Sequence, residues 1–130
     1  MAQQVPLDFL GGLRRTHTCG DLRHADEGKR VVLMGWVYRR RDLGGVIFIH
    51  LRDRMGVTQI VFRAECDADL HAKAEMLRSE YVLAVEGVVE ARSQETINST
   101  IPTGEVEVVA EKVWLLNTSE TPPFPMEEHV

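Results

Sequence analysis

The feature that most constrains this chain is an alternating pattern in two consecutive segments, residues 46–53 and 57–63, where large apolar residues recur at every second position. Successive side chains of a β-strand point to opposite sides, so this alternation places one face of each segment in a core and the other face outside. The turn signal at residues 54–56 predicts that the two strands pair as a hairpin. The expected core face of the first of them carries Ile47, Ile49 and Leu51.

Three further segments have the composition of strands, residues 31–41, 81–92 and 105–116. They are rich in β-branched and aromatic residues, and Gly35 within the earliest of them indicates a bulge or a sharp bend. Before the last two strands, Asp67 is placed to cap an amphipathic helix over residues 68–78. The apolar side of this helix carries Leu70, Ala74 and Leu77.

The last predicted strand has acidic residues on its outer face. The residues expected to point inward are Val106, Val108, Trp114 and Leu116. Glu105 and Glu107 then point outward. A carboxylate repels nucleic acid unless it accepts hydrogen bonds from a base that offers donors, such as guanine. Solvated surface and a base contact are therefore the two interpretations of these glutamates.

The order of three strands, one helix and two more strands is that of an OB-fold, a five-stranded Greek-key barrel. We therefore predict an all-β domain over residues 31–117, with its one helix between strands 3 and 4; a β-sandwich is the alternative. Residues 1–30 are expected to be an extension packed outside the core, with a short helix near residues 21–24. The Pro-rich residues 118–130 are expected to be a stiff connector.

The composition fits one globular domain and indicates the cellular compartment in which the chain functions. The chain has 130 residues, 44% of them hydrophobic, and no apolar run approaches the about 20 residues that span a bilayer. Its start lacks the basic residues and the long apolar run of a secretory signal. Cys19 and Cys66 stand far apart, which suits a reducing compartment. We expect a cytoplasmic protein that does not contact a membrane.

Charge is distributed unevenly along the chain. The formal net charge is −5, yet residues 29–63 carry eight basic residues against two acidic ones, a local balance of +6. An acidic domain can therefore present one basic face to a polyanion. The arginines expected to support such a face are Arg39, Arg40 and Arg52, beside Arg41.

The outer face of the second strand carries residues suited to single-stranded nucleic acid. Phe48 is predicted to lie beside His50 and Arg52, with Gln59 on the neighbouring strand. This set combines a ring that stacks on a base, an amide for a base edge and donors for phosphate. The alternative is that Phe48 fills a satellite hydrophobic cluster and that the arginines are solvated.

The sequence contains no recognisable active site or metal site. The patterns Gly-x-x-x-x-Gly-Lys, Gly-x-Ser-x-Gly and His-Glu-x-x-His are absent. His17, Cys19 and His24 are three candidate metal ligands, whereas a structural zinc site requires four. We expect no catalytic residue, no metal and no cofactor in this chain.

Residues 35–62, GWVYRRRDLGGVIFIHLRDRMGVTQIVF, closely resemble the N-terminal anticodon-binding domain of bacterial-type aspartyl-tRNA synthetases. The resemblance continues through residues 87–92 and 103–108 and ends in TPPFP, so it covers roughly residues 14–125. Synthetases for asparagine and lysine share the barrel. The chain is much shorter than a whole synthetase. The resemblance therefore implies one domain of a larger enzyme, with residues 118–130 as the connector to a missing catalytic domain.

The resemblance implies that the barrel holds the unstacked aspartate anticodon, which reads guanine, uracil and cytosine from first to third base. It implies that Phe48 stacks on the uracil, that Gln59 binds the edge of the uracil and that Glu107 accepts from the guanine. The other matching positions are Arg41, Arg92 and Asn98 near the anticodon, with Leu43 and Thr96 near the third base.

The resemblance further implies that the full-length parent is a class II aspartate–tRNA ligase, which uses ATP and Mg²⁺, and that this chain alone does not catalyse. The expected partner is tRNA(Asp), and also tRNA(Asn) if the parent accepts both. The parent is expected to be a homodimer and the fragment a monomer. The alternatives are a free-standing OB-fold that binds single strands or tRNA, the same module of an asparagine or lysine synthetase, and a protein-interaction barrel.

Overall fold

In a computed structural model that describes residue 8 and residues 11–118, the alternating segments form five strands. The elements are β1 (Arg30–Asp42), β2 (Val46–Asp53), β3 (Gly56–Arg63), α1 (Ala68–Ala74), β4 (Val82–Ala91) and β5 (Val106–Asn117). Each strand lies within one residue of its predicted bounds at both ends. The Pro-rich segment lies outside the described residues, except for Thr118.

The strands close into a barrel in the order β1-β2-β3-β5-β4. Neighbouring strands are antiparallel except β3 and β5, which run parallel where Ile60 and Val61 face Val108 and Val109. Closure removes the free edges that two separate sheets would have. The predicted OB-fold is confirmed, and the β-sandwich alternative is excluded.

The barrel interior is filled by the residues that alternation placed there. Ile47, Ile49 and Leu51 of β2 are fully buried, and Phe62 of β3 is the largest fully buried side chain. The predicted extension also contributes to this interior, because Cys19 and Leu22 belong to the same core cluster. The expectation that residues 1–30 pack entirely outside the core is therefore wrong.

β1 is long because it pairs with two neighbouring strands, β4 and β2. It pairs with β4 as far as Trp36 and with β2 from Trp36 onward. Gly35 allows the close approach at this switch, since a Cβ there would lie 2.3 Å from the carbonyl oxygen of Arg52. The bulge itself is further along, because Val37 faces Leu51 while Arg39 faces His50, and Tyr38 is the extra residue.

A second bulge reverses the phase of β5. Ala110 faces Gly87 and Lys112 faces Glu86, so Glu111 is the extra residue. Beyond it the inward side chains are Val113 and Leu115, whereas Trp114 and Leu116 are only half-buried. The predicted inward orientation of Trp114 and Leu116 is wrong, because one extra residue transfers every later side chain to the other face.

The helix is shorter than predicted. The Asp67 side chain accepts a hydrogen bond from the backbone N–H of Leu70 at 3.0 Å and caps α1 as expected. After Ala74 the backbone tightens to bonds over three residues, so residues 75–78 leave the α-helix while Leu77 remains buried. The short helix expected near residues 21–24 is a 3₁₀ turn at His24–Asp26.

Candidate nucleic-acid interface

A groove of about 700 Å³ runs along the outer face of β1, β2 and β3, beneath the β4–β5 loop. Four arginines and one glutamate line it, so its charge is positive in a chain whose net charge is −5. The lining side chains are Tyr38, Arg39, Arg40, Arg41, Phe48, His50, Gln59, Ser79, Arg92, Glu95, Thr96 and Asn98.

Phe48 lies on the outer face of β2, as alternation predicts. Its cross-strand neighbours are Arg41 on β1 and Val61 on β3. Val61 is fully buried but lies outside the core cluster, so it gives the Phe48 ring an apolar neighbour on this face. The ring is half-buried and lines the groove, which leaves part of it open to a stacking partner.

Three side chains form a hydrogen-bonded chain across β2, β3 and β5. Gln59 Nε2 donates to Glu107 Oε1 at 2.8 Å, and Gln59 Oε1 lies 3.2 Å from His50 Nε2. An ionised carboxylate only accepts, so the Gln59 amide must turn its NH₂ toward Glu107 and its oxygen toward His50. His50 Nε2 is therefore the donor in the bond to Gln59 Oε1, and the amide has one N–H and one lone pair left for a ligand.

The environment of His50 favours its neutral form. Burial is the main cause that lowers the pKa of the imidazole, and the hydrogen bond to Gln59 opposes it. The positive charges of Arg92, Arg39 and Arg41 lower the pKa further. With Nε2–H turned toward Gln59, neutral His50 has an acceptor lone pair on Nδ1.

Glu107 is buried although its strand position faces outward. It is 8% exposed, and its Oε2 lies 3.5 Å from Arg63 Nη2. Together with the bond from Gln59, this ion pair gives each carboxylate oxygen a positive or polar neighbour. The solvated-surface interpretation is therefore excluded for Glu107. Glu105, two residues earlier, is exposed.

Arg92 supports the β4–β5 loop from beneath. Its Nε donates to the carbonyl of Val106 at 3.1 Å and its Nη1 to the carbonyl of Thr96 at 2.9 Å. Its Nη2 is buried without a hydrogen-bond partner. Burial lowers the pKa of the guanidinium, and the negative charge of Glu107 raises it. A buried donor with no partner at the wall of a groove is suited to an acceptor on a ligand.

The β4–β5 loop brings Thr96 and Asn98 to the groove. Thr96 ends a 3₁₀ turn, Gln94–Thr96, and Asn98 Oδ1 accepts from the backbone N–H of Thr100 at 3.0 Å. The loop closes on itself at Gly104, whose backbone N–H donates to the carbonyl of Ile101 and whose carbonyl accepts from the N–H of Asn98, and Thr96 and Asn98 line the groove. Both predicted loop residues therefore lie at the site.

The predicted arginines differ in their surroundings. In the described part of the chain, Arg39, Arg41 and Arg52 are exposed and form no ion pair. Arg40 instead faces Ile49 across the strands, and its Nη2 lies 3.1 Å from the carbonyl oxygen of Glu75 and 3.5 Å from Asp42. Arg40 therefore ties β1 to the end of α1, while the other three are unpaired cations.

Three of the predicted site residues lie beyond the groove lining. Leu43 occupies the β1–β2 turn and is 58% exposed, Arg52 lies further along β2, and Glu107 is reached through Gln59. Sequence reasoning missed Tyr38, an exposed ring at the groove wall. Alternation from the buried Val37 points Tyr38 outward, and the bulge then turns Arg39 to the same side.

Among residues 8 and 11–118, no group of three or more His, Cys, Asp and Glu side chains is arranged to hold a metal ion. The described helices include none with the length and hydrophobicity that crossing a bilayer requires.

The chain is similar to parts of larger enzymes. It is 55% identical, over 94% of its length, to the aspartate–tRNA(Asp/Asn) ligase of Desulfotalea psychrophila. It spans about one fifth of the length of the curated relatives it matches. The crystal structure of asparaginyl-tRNA synthetase from Pyrococcus horikoshii superposes with a TM-score of 0.68 at 30% identity, over 88% of this chain and 26% of that one.

Aspartyl tRNA synthetase from Entamoeba histolytica has the same fold, with a TM-score of 0.73 at 21% identity over 91% of this chain and 24% of that one. The family model for the OB-fold nucleic acid binding domain matches residues 31–116, which are the barrel from β1 to β5. This match covers the walls of the groove. The chain therefore belongs to the family of OB-fold nucleic acid binding domains, in agreement with the arginine-lined groove on its outer face.

Proposed function

We propose that this chain is the anticodon-binding module of an aspartate–tRNA ligase and that its groove binds the tRNA(Asp) anticodon. The observation that carries the proposal is the juxtaposition of an outward Phe48 ring with the hydrogen-bonded Gln59–Glu107 pair in a groove lined by arginines. A stacking ring, a base-edge amide and a carboxylate acceptor are the groups that reading unstacked bases requires. The names of the curated relatives support the same function.

We assign the three reading residues to two bases. The Phe48 ring stacks on the middle uracil, and the free N–H and lone pair of the Gln59 amide match the acceptor and donor on the edge of that base. Glu107 accepts from the donors of the first-position guanine. Adenine has no such donors on the corresponding edge, so the carboxylate discriminates between the two purines.

The arginines supply affinity more than selectivity. Arg39, Arg41 and Arg52 attract phosphates without reading sequence, and the partnerless Nη2 of Arg92 accepts a phosphate or carbonyl oxygen as its partner. Asn98 is assigned to the anticodon from the loop side. Leu43 and Thr96 are assigned to the region of the third base.

The parent enzyme is proposed to be a cytoplasmic homodimer. ATP and Mg²⁺ act in its catalytic domain, and the described residues of this chain, which group no metal ligands, are assigned no part in that chemistry. The Asp/Asn names of the relatives support a parent that accepts tRNA(Asn) as well as tRNA(Asp). These two anticodons differ in the third base.

The test is a titration of the chain with RNA hairpins that carry GUC, GUU or a scrambled sequence in the loop, at several salt concentrations. We expect the GUC hairpin to bind more tightly than the scrambled one and log K to fall linearly with log salt. Comparable binding of GUC and GUU hairpins would identify a module that accepts both tRNAs. Equal affinity for the scrambled hairpin, or binding that does not depend on salt, contradicts the proposed function.

A further inference from the structure

Tyr38 is an exposed aromatic side chain to which the proposed reading of the anticodon assigns no base. It is the extra residue of the β1 bulge and is 42% exposed. Bulges commonly redirect a side chain toward a binding surface. Here the extra residue presents its ring to the groove, beside the cross-strand pair formed by Arg39 and His50.

Two guanidinium groups lie over this ring. Arg52 is 4.7 Å and Arg39 is 5.5 Å from the ring centroid, distances typical of cation–π contacts. Neither arginine forms an ion pair among the described residues. The cluster therefore combines an aromatic surface with two planar cations whose charge no carboxylate neutralises, and both kinds of plane stack on bases.

The cluster is too far from Phe48 to share its base. Tyr38 lies between the levels of His50 and Leu51, which are two and three residues along β2 from Phe48. At a rise of about 3.3 Å per residue this separation is roughly 7–10 Å. Adjacent stacked bases are about 3.4 Å apart, so the two rings are positioned for two different nucleotides that are splayed apart.

We propose that Tyr38, Arg39 and Arg52 form a second stacking site, which binds a nucleotide flanking the one that stacks on Phe48 in the same RNA. This inference rests on the proposed function. The base stacks on the Tyr38 ring in place of the more distant guanidinium of Arg39. Arg39 and Arg52 then contact the phosphates on either side of that nucleotide.

The experiment uses the GUC hairpin and a set of hairpins in which each loop nucleotide in turn lacks its base. Dissociation constants are measured with the wild type, Tyr38→Ala, Tyr38→Phe and Phe48→Ala. For the wild type, we expect base removal to weaken binding at the anticodon positions and at one flanking position. Tyr38→Ala should bind the intact hairpin at least about fivefold more weakly and become insensitive to base removal at one flanking position. Tyr38→Phe should restore both properties.

Two controls exclude a change of fold or of total charge as the cause. Tyr38 is exposed, so the denaturant midpoint of Tyr38→Ala should equal that of the wild type. Arg52→Ala is compared with Arg54→Ala, which removes the same charge from an exposed position outside the groove lining. Arg52→Ala should weaken binding more than Arg54→Ala does.

Tyr38→Ala with wild-type affinity, or with equal weakening at every base-deleted hairpin, overturns the second stacking site. If, in that case, binding by Phe48→Ala is still insensitive to removal of the base that stacks on Phe48, the proposed function stands and only this inference fails. A wild type that does not prefer the GUC hairpin over the scrambled one contradicts both.

Discussion

At the scale of single residues, Phe48 shows how one ring can be assigned either to binding or to folding. It is half-buried on the outer face of β2, opposite the fully buried Ile47 and Ile49. An outer ring contributes to binding through stacking, whereas a core ring contributes to stability. The two roles predict opposite outcomes for the same substitution.

We expect Phe48→Ala to weaken binding of the GUC hairpin by roughly tenfold or more, because stacking of one base contributes about 1–3 kcal/mol. Its free energy of unfolding should change much less than the about 3–5 kcal/mol lost on truncating a core phenylalanine. Phe62→Ala, in the core, is the matched control and should show that full loss. Urea unfolding and titration of each variant check this. A large loss of stability with unchanged binding per folded molecule would assign Phe48 to folding.

The hydrogen bond between Gln59 and Glu107 couples two residues that we assign to different bases. Glu107→Ala should reduce the preference for guanine over adenine at the first position more than it reduces general affinity. Because the Gln59 amide is oriented by Glu107 at 2.8 Å, the same variant should also weaken the preference for uracil at the middle position. Binding constants for single-base loop variants measure both preferences.

A double-mutant cycle separates coupling from two independent contacts. Gln59→Ala and Glu107→Ala together should cost less binding free energy than the sum of the single variants, since removal of either partner already disturbs the other. Strict additivity would show that the two bases are read independently. Full guanine preference in Glu107→Ala would show that Glu107 has no reading role.

The lowered pKa of His50 predicts a pH dependence of stability. The folded-state pKa lies below the unfolded value, so the unfolded chain binds a proton first as the pH falls. The stability from neutral His50 is complete above about pH 6.5 and is lost as the pH falls toward the folded pKa. In His50→Gln, where an amide N–H can still donate to Gln59, this loss should be smaller. Urea unfolding between neutral pH and pH 5 measures it, and identical profiles for both proteins would contradict the prediction.

At the scale of elements, the barrel depends on β1 crossing from one neighbour to another. At Gly35 the strands approach so closely that a Cβ would lie 2.3 Å from the Arg52 carbonyl oxygen. Backbone cannot yield as a flexible side chain does, so the crossing requires a residue without a Cβ.

We expect Gly35→Ala to reduce the free energy of unfolding by about 1–3 kcal/mol, the usual cost of overpacking. Gly45→Ala is the matched control, because a Cβ there would meet nothing within 4 Å. Gly45→Ala should leave stability unchanged or raise it slightly. Urea denaturation of the three proteins gives the comparison, and equal stabilities would show that the strands can separate at Gly35 without cost.

At the scale of the whole molecule, the chain combines a negative net charge with one positive groove. This arrangement suppresses nonspecific binding of nucleic acid and attracts phosphates to one place. It provides a binding surface and, among the residues the structure describes, no grouping that we assign to a chemical step.

Incubation of the chain with aspartate, ATP, Mg²⁺ and tRNA(Asp) should therefore yield no aspartyl-tRNA. A full-length relative, such as the ligase of Desulfotalea psychrophila, serves as the positive control. Acid-gel separation of charged and uncharged tRNA detects the product. Sustained charging by the chain alone would overturn its assignment as a binding module.

The sequence by itself determined the element order and most strand faces. A hairpin such as β2–β3 is read correctly because burial of one face imposes a period of two on neighbouring residues, and Ile47 and Phe48 fall on their correct sides. The resemblance over residues 35–62 and 103–108 indicated Gln59 and Glu107, which alternation alone could not distinguish from surface residues. These properties depend on residues that are close in the chain.

Only the tertiary structure decided the properties that depend on distant residues. The bulges at Tyr38 and Glu111 turn the later side chains of their strands to the opposite face, and no local pattern marks the extra residue. The burial of Glu107 requires Gln59 from another strand, 48 residues away. Strand register and barrel closure create such contacts, because they are set by pairing across the sheet and by packing of the shared core rather than by neighbours in the chain.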